Sequence, residues 1–144
     1  MLPTLFGRIQ TRIFATALVG GLWAVIIGPL LPGSGTTSEK YQTMYGVLLI
    51  VGVVGVLWEL AYHGLQQFRW EKDWPTLFGL VTASNEGVVA YFVARSGVLA
   101  ATENISVSAF LVGFLTAWLV IWLFVNGPMR IFNVHWRFNG GRLV

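Results

Sequence analysis

The chain has 144 residues, of which 56% are hydrophobic and 10% are charged, and its mean hydropathy is +0.70. Soluble proteins carry roughly 25% charged residues, and nine basic with six acidic side chains cannot clothe a soluble surface. The composition therefore excludes an ordinary soluble domain and indicates a single integral membrane domain. Cysteine is absent, which removes disulfides, thiolate metal sites and thiol redox chemistry. The net charge of +3 comes from basic residues standing singly at segment ends, a distribution that suits membrane orientation better than nucleic-acid binding.

The hydropathy pattern predicts an all-α, up-down bundle of four transmembrane helices over residues 13–32, 43–66, 75–94 and 105–125. A spanning helix needs about 20 apolar residues to cross a hydrocarbon core roughly 30 Å thick. In the first, from Ile13 to Pro32, the polar side chain is Thr16. Arg8 and Arg12 precede it one helical turn apart and are expected to snorkel to the lipid surface. The second runs through Val47 and Leu57 and carries Glu59 and His63 near its end, four residues apart and hence on one face, with Gln67 continuing the stripe. A turn follows in which Trp70 and Trp74 bracket alternating charges, an arrangement that fits anchoring in the lipid interface or docking to a partner.

The third helix opens at Pro75, which suits a first helical turn. It is interrupted between Thr82 and Gly87 by polar residues where a bilayer is driest. The fourth, over 105–125, is cleaner. The tail, 126–144, interleaves Arg130, His135, Arg137 and Arg142 with Ile131, Phe132, Val134, Trp136 and Phe138, as expected of a segment lying on the membrane against anionic headgroups. Its aromatic residues belong to the interface, and no nucleic-acid partner is expected.

Glu86 lies 11 positions after Pro75, which places it roughly 16 Å into the core. An ionisable group at that depth is a functional candidate by default. Two roles are open to it: binding a proton or cation, or fastening its helix to a neighbour or a partner protein with Asn85, Ser84 and Thr82 assisting. Arg95, nine residues on, lies at the opposite interface, so no ion pair to Glu86 is expected within the chain. Glu59 and His63 can relay a proton or supply two metal ligands, or simply meet water at the interface. His135 is the remaining imidazole, so neither a metal site nor a cofactor is expected. Small residues recur at four-residue spacing in Gly79, Ala83 and Gly87, in Ala17 and Gly21, and in Gly113 and Ala117, a pattern that lets helix backbones approach in lipid.

The phosphate-cradling loop, the zinc-binding helix motif and the nucleophile elbow are all missing from the sequence, so an enzyme is not expected. The leading expectation is an accessory or scaffolding subunit that packs against a larger membrane complex or copies of itself. The alternative is a small oligomeric transporter or channel that handles a proton or cation on Glu86. Seven basic residues (Arg8, Arg12, Arg69, Lys72, Arg130, Arg137 and Arg142) fall on the side of the termini, against Lys40 and Arg95 on the other. By the positive-inside rule both termini are cytoplasmic, in a multi-pass protein of a prokaryotic plasma membrane. A reporter active only in the cytoplasm is therefore expected to function when fused after Val144; activity there of a periplasm-only reporter contradicts the orientation.

Overall fold

The structure, a computed structural model, describes residues 4–68 and 77–144; its regular elements are all helical, with no strand among the described residues. Trp70 and Trp74 lie outside that range. The first helical rod comprises α1 (Leu5–Ala15), a π-helical turn (Thr16–Gly20), α2 (Gly21–Ile27) and a closing 3-10 turn (Gly28–Leu30). It begins at Leu5 because the Thr4 hydroxyl caps it, accepting from the Gly7 amide at 3.1 Å. That start, well ahead of the expected Ile13, puts Arg8 and Arg12 inside the helix.

The π turn shifts the helical phase. As a result the buried stripe of the first rod is Thr16, Gly20, Ala24 and Gly28, whereas Ala17 is exposed and a Cβ on Gly21 would meet no other atom within 4 Å. The small-residue pair expected at Ala17 and Gly21 is thus one position out of register with the face that packs. A Cβ at Gly20 would come within 3.2 Å of Leu48 and Ile121, and one at Gly28 within 2.7 Å of the Tyr41 ring, so these two glycines let the rod close on its neighbours.

The second rod, α3 (Thr37–Gln67), opens with a capping box: the Glu39 amide donates to Thr36 Oγ1 at 3.3 Å and the Thr36 amide donates to Glu39 Oε2 at 2.7 Å. Then come α4 (Phe78–Arg95) and α5 (Val107–Asn126), the latter capped by Ser106, whose hydroxyl accepts from the Ala109 amide at 3.2 Å. Short helices α6 (Pro128–Phe132) and α7 (Val134–Phe138) complete the chain. Among the described residues, three stretches are long and apolar enough to cross a membrane: Leu5–Leu30, Thr37–Gln67 and Val107–Phe132.

Helix α3 is the common wall. Its Val47, Val51 and Val54 pack with Ala83 and Ala90 of α4 and with Phe110 and Phe114 of α5, and its Met44 and Leu48 pack with Ala24, Leu31 and Ala117. The small residues Gly79, Ala83, Gly87, Gly113 and Ala117 are used inside the chain. A Cβ on Gly87 would stand 2.7 Å from Phe114 Cε1, one on Gly79 would stand 3.2 Å from Trp122, and one on Gly113 would stand 3.0 Å from Met44 Sδ. Close approach of backbones is what supplies dispersion energy between membrane helices.

The tail folds back onto the bundle. Gly140 and Gly141 adopt φ of 64° and 82°, values glycine reaches without a Cβ penalty, and the chain turns back onto α1. The Thr4 amide donates to Gly140 O at 2.8 Å, Thr11 Oγ1 donates to Gly141 O at 3.0 Å, and the Leu143 amide donates to Gln10 Oε1 at 2.9 Å. Gly7 faces Gly140 so closely that any side chain there would collide with backbone. The two ends of the chain are latched together, while Ile131, Phe132 and Phe138 stay exposed on the outer side of the tail.

Candidate functional site

Three helices deliver charged side chains to one level. Arg12 follows Leu5 by seven residues, Glu59 precedes Gln67 by eight, and Glu86 follows Phe78 by eight, so at 1.5 Å per residue each lies roughly 10 to 12 Å from the same end of its helix. Arg12 Nη1 donates to Glu86 Oε2 at 2.9 Å and Nη2 donates to Glu86 Oε1 at 3.0 Å. Arg12 Nε and Nη2 donate to Glu59 Oε1 at 3.0 and 2.9 Å. A single guanidinium therefore bridges two carboxylates, with bidentate geometry toward Glu86. Arg8, one turn earlier, donates from Nη1 to Glu59 Oε2 at 3.4 Å and from Nη2 to Gln66 Oε1 at 3.0 Å.

These contacts overturn two expectations. Arg8 and Arg12 turn into the bundle instead of toward lipid, and Glu86 has an internal counter-ion after all. The cause is geometric: the helix starts at Leu5, so Arg12 is well inside it, and Gly55 of α3 leaves the space its side chain needs. A Cβ at Gly55 would stand 2.5 Å from Arg12 Nη1. The Trp118 ring closes the other side, with its centroid 5.2 Å from Arg12 Cζ, within cation–π range. Trp118 is itself fixed by donating from Nε1 to Gly79 O at 3.0 Å, and it ends a column of rings through Tyr91, Phe110 and Phe114, with centroids 5.1 to 5.4 Å apart.

Glu86 is 1% exposed. Of the polar neighbours expected to assist it, Thr82 is buried one turn away and donates to Gly79 O at 3.0 Å. Ser84 and Asn85 are exposed on the other side of α4, because adjacent helical positions are about 100° apart; Ser84 Oγ donates to Val81 O at 2.7 Å. Glu59 and His63 share a helix face but not a partner: the His63 ring faces Gln67, with Nε2 to Nε2 at 3.4 Å, and its Nδ1 is buried without a hydrogen-bond partner among the described residues. Trp136 of the tail points inward, donating from Nε1 to Thr11 Oγ1 at 2.7 Å. Among the described residues, no three His, Asp or Glu side chains are grouped closely enough to hold a metal ion.

Beside the charges a cleft of about 290 Å³ opens between the first rod, α3, α4 and α5. Arg8, Arg12, Glu59, Thr11 and Thr16 give it a polar strip; Tyr62, Phe78, Phe114, Trp118, Trp122 and Trp136 supply aromatic walls. The arrangement is electrically balanced, since Arg8 and Arg12 oppose Glu59 and Glu86. It can tie three helices together. It offers neither a nucleophile next to a base nor a free intramembrane carboxylate. No family model, curated protein or solved structure matches the chain, so the site is read from its geometry.

Sequence reasoning missed Arg8, Arg12, Gln66, Gly55 and Trp118. The signal that identifies the arginines is Thr4, a favourable cap three residues before Gly7, which starts the helix early enough to carry both arginines inward.

An ammonium cannot donate in the fork that bridges two carboxylates. Arg12→Lys is therefore expected to lower the thermal unfolding midpoint in detergent markedly, with a loss of about 2 kcal/mol or more, given the 3–5 kcal/mol typical when a buried pair is broken. Arg8→Lys, whose Glu59 contact is longer, is expected to change it little; equal effects of the two contradict this assignment.

Proposed function

We propose that the chain is a small non-enzymatic membrane protein with four spans and both termini cytoplasmic, acting as an accessory or scaffolding subunit that packs against a larger membrane complex or copies of itself. The observation that carries this reading is the outward face of α4. Val81, Val88 and Phe92 are exposed there, and Ser84 and Asn85 sit between them near the middle of the helix. The Asn85 amide has no hydrogen bond to any described residue. An unpaired primary amide facing lipid is unfavourable, and a helix from another subunit relieves it through an interhelical hydrogen bond.

Helix α4 is not among the three stretches apolar enough by composition to cross a membrane; its 18-residue length and the pairing of Glu86 with Arg12 are what support it as the fourth span. The arginine and lysine bias supports cytoplasmic termini. The same neutralisation weakens the proton- or cation-handling alternative, because both Glu86 oxygens are already occupied by Arg12.

The absence of cysteine allows a single dye at Val144→Cys, a position 96% exposed. Energy transfer between labelled copies in liposomes, together with affinity purification from native membranes, is expected to show a self-associated or stoichiometric partner complex. Asn85→Leu is expected to weaken that association about 3- to 30-fold, corresponding to the roughly 0.6–2 kcal/mol of an interhelical hydrogen bond. A monomer in both assays, or association indifferent to Asn85, contradicts the proposal. Proton or cation flux that Glu86→Gln abolishes supports the alternative instead.

A further inference from the structure

The cleft beside the charge cluster has an unequal pair of arginines. Arg12 makes four hydrogen bonds, from Nε, Nη1 and Nη2, all to Glu59 or Glu86. Arg8 makes one contact from each Nη, to Glu59 at a long 3.4 Å and to Gln66. Since each Nη carries two N–H groups, Arg8 retains donors that the described residues do not use. It lies toward the tail end of the cleft, beside Gly7, Trp136 and Gly141, which also line it.

Two more arginines adjoin that end in sequence: Arg137 and Arg142, next to the lining residues Trp136 and Gly141, are exposed outside the cleft, and Arg142 reaches back to Thr4, with its Nε 3.5 Å from Thr4 Oγ1. Farther in, past Arg12, the walls become Val47, Leu48, Val51, Phe114 and Ala117, with no charge among them. A guest that satisfies both ends needs an anionic oxygen head and an apolar chain. The volume of about 290 Å³ is at the lower end of ligand pockets and suits part of one chain, not a whole lipid.

We propose that this cleft binds one anionic phospholipid of the surrounding leaflet, with its phosphate on Arg8 at the tail end and one acyl chain lying along the aromatic wall toward Phe114. Trp136 and Gly141 line the same cleft. The bilayer is chosen as the source because the Arg8 end falls at the headgroup level if the first rod spans as described, and anionic lipid there is attracted by juxtamembrane arginines. The inference rests on the membrane placement of the chain, which resistance to alkaline carbonate extraction tests separately, and is independent of any protein partner.

The test is native mass spectrometry of the full-length protein in detergent, titrated separately with phosphatidylglycerol, phosphatidylcholine and oleate. One phosphatidylglycerol is expected to be retained at an occupancy at least fivefold above phosphatidylcholine. Arg8→Gln is expected to abolish that preference, whereas Val125→Trp, which fills the cleft from α5, is expected to lower retention of both phospholipids at least fivefold. Unchanged helical circular dichroism and unfolding midpoint in the two variants keep a folding defect from mimicking the result. Equal retention of the two phospholipids by wild type, retention unaffected by Val125→Trp, or tight binding of oleate alone overturns the proposal.

Discussion

The bridge from Arg12 to Glu59 and Glu86 is the interaction on which the rest of the structure depends. Moving an ion from water to a low-dielectric interior costs several kcal/mol even after relaxation, and in hydrocarbon the alternatives for a lone charge are poor. Glu86, 1% exposed, is tolerable because a fixed guanidinium meets both of its oxygens. Arg12 in turn is tolerable because two carboxylates and the Trp118 face surround it. Neither α1 nor α4 can slide or rotate without separating these groups, so the bridge fixes the vertical register of three helices as well as their charge.

Other features make room for that bridge or hold it closed. Gly55 omits the side chain that would strike Arg12. The π turn directly after Ala15 re-aims the first rod so that Thr16, Gly20, Ala24 and Gly28 continue the packing face above the arginine. Below it, the tail is pinned to Thr4, Gln10 and Thr11, which covers the end of α1 that carries Arg8. The polar residues of α4 are thereby sorted by angle: Glu86 and Thr82 face the bundle, Ser84 and Asn85 face outward. One side is consumed in folding and the other is exposed, which is why the proposed accessory-subunit role rests on Asn85 and not on Glu86.

Helix type and the approximate positions of the long helices were legible because apolar runs of about 20 residues have few other physical meanings. The small residues of α4 and α5 were legible for a similar reason: Gly79, Ala83, Gly87, Gly113 and Ala117 keep a regular four-residue period and the helices carrying them are undistorted. The same reasoning failed at Ala17 and Gly21, since a π turn changes the phase of a helix without any compositional mark in Thr16–Gly20. It failed at Arg12 because a basic residue before an apolar run reads as an interfacial anchor; only the Thr4 cap, a local signal, shows that the helix has already begun. Glu59, Arg12 and Glu86 are 74 residues apart at the extremes, and their common depth follows from where three separate helices start and stop. Measured from Pro75, Glu86 seemed deeper than Glu59; measured from the observed helix ends, the two are level.

A double-mutant cycle on Arg12 and Glu86 tests the bridge most directly. The four charges Arg8, Arg12, Glu59 and Glu86 sum to zero, and they still do when Arg12 and Glu86 are both replaced by Met. Unfolding free energies measured in detergent for Arg12→Met, Glu86→Met and the double variant should then show the double variant less destabilised than Arg12→Met alone, with a coupling of about 2 kcal/mol or more. Additive losses, with the double variant the least stable of the three, would contradict a direct buried pair between Arg12 and Glu86.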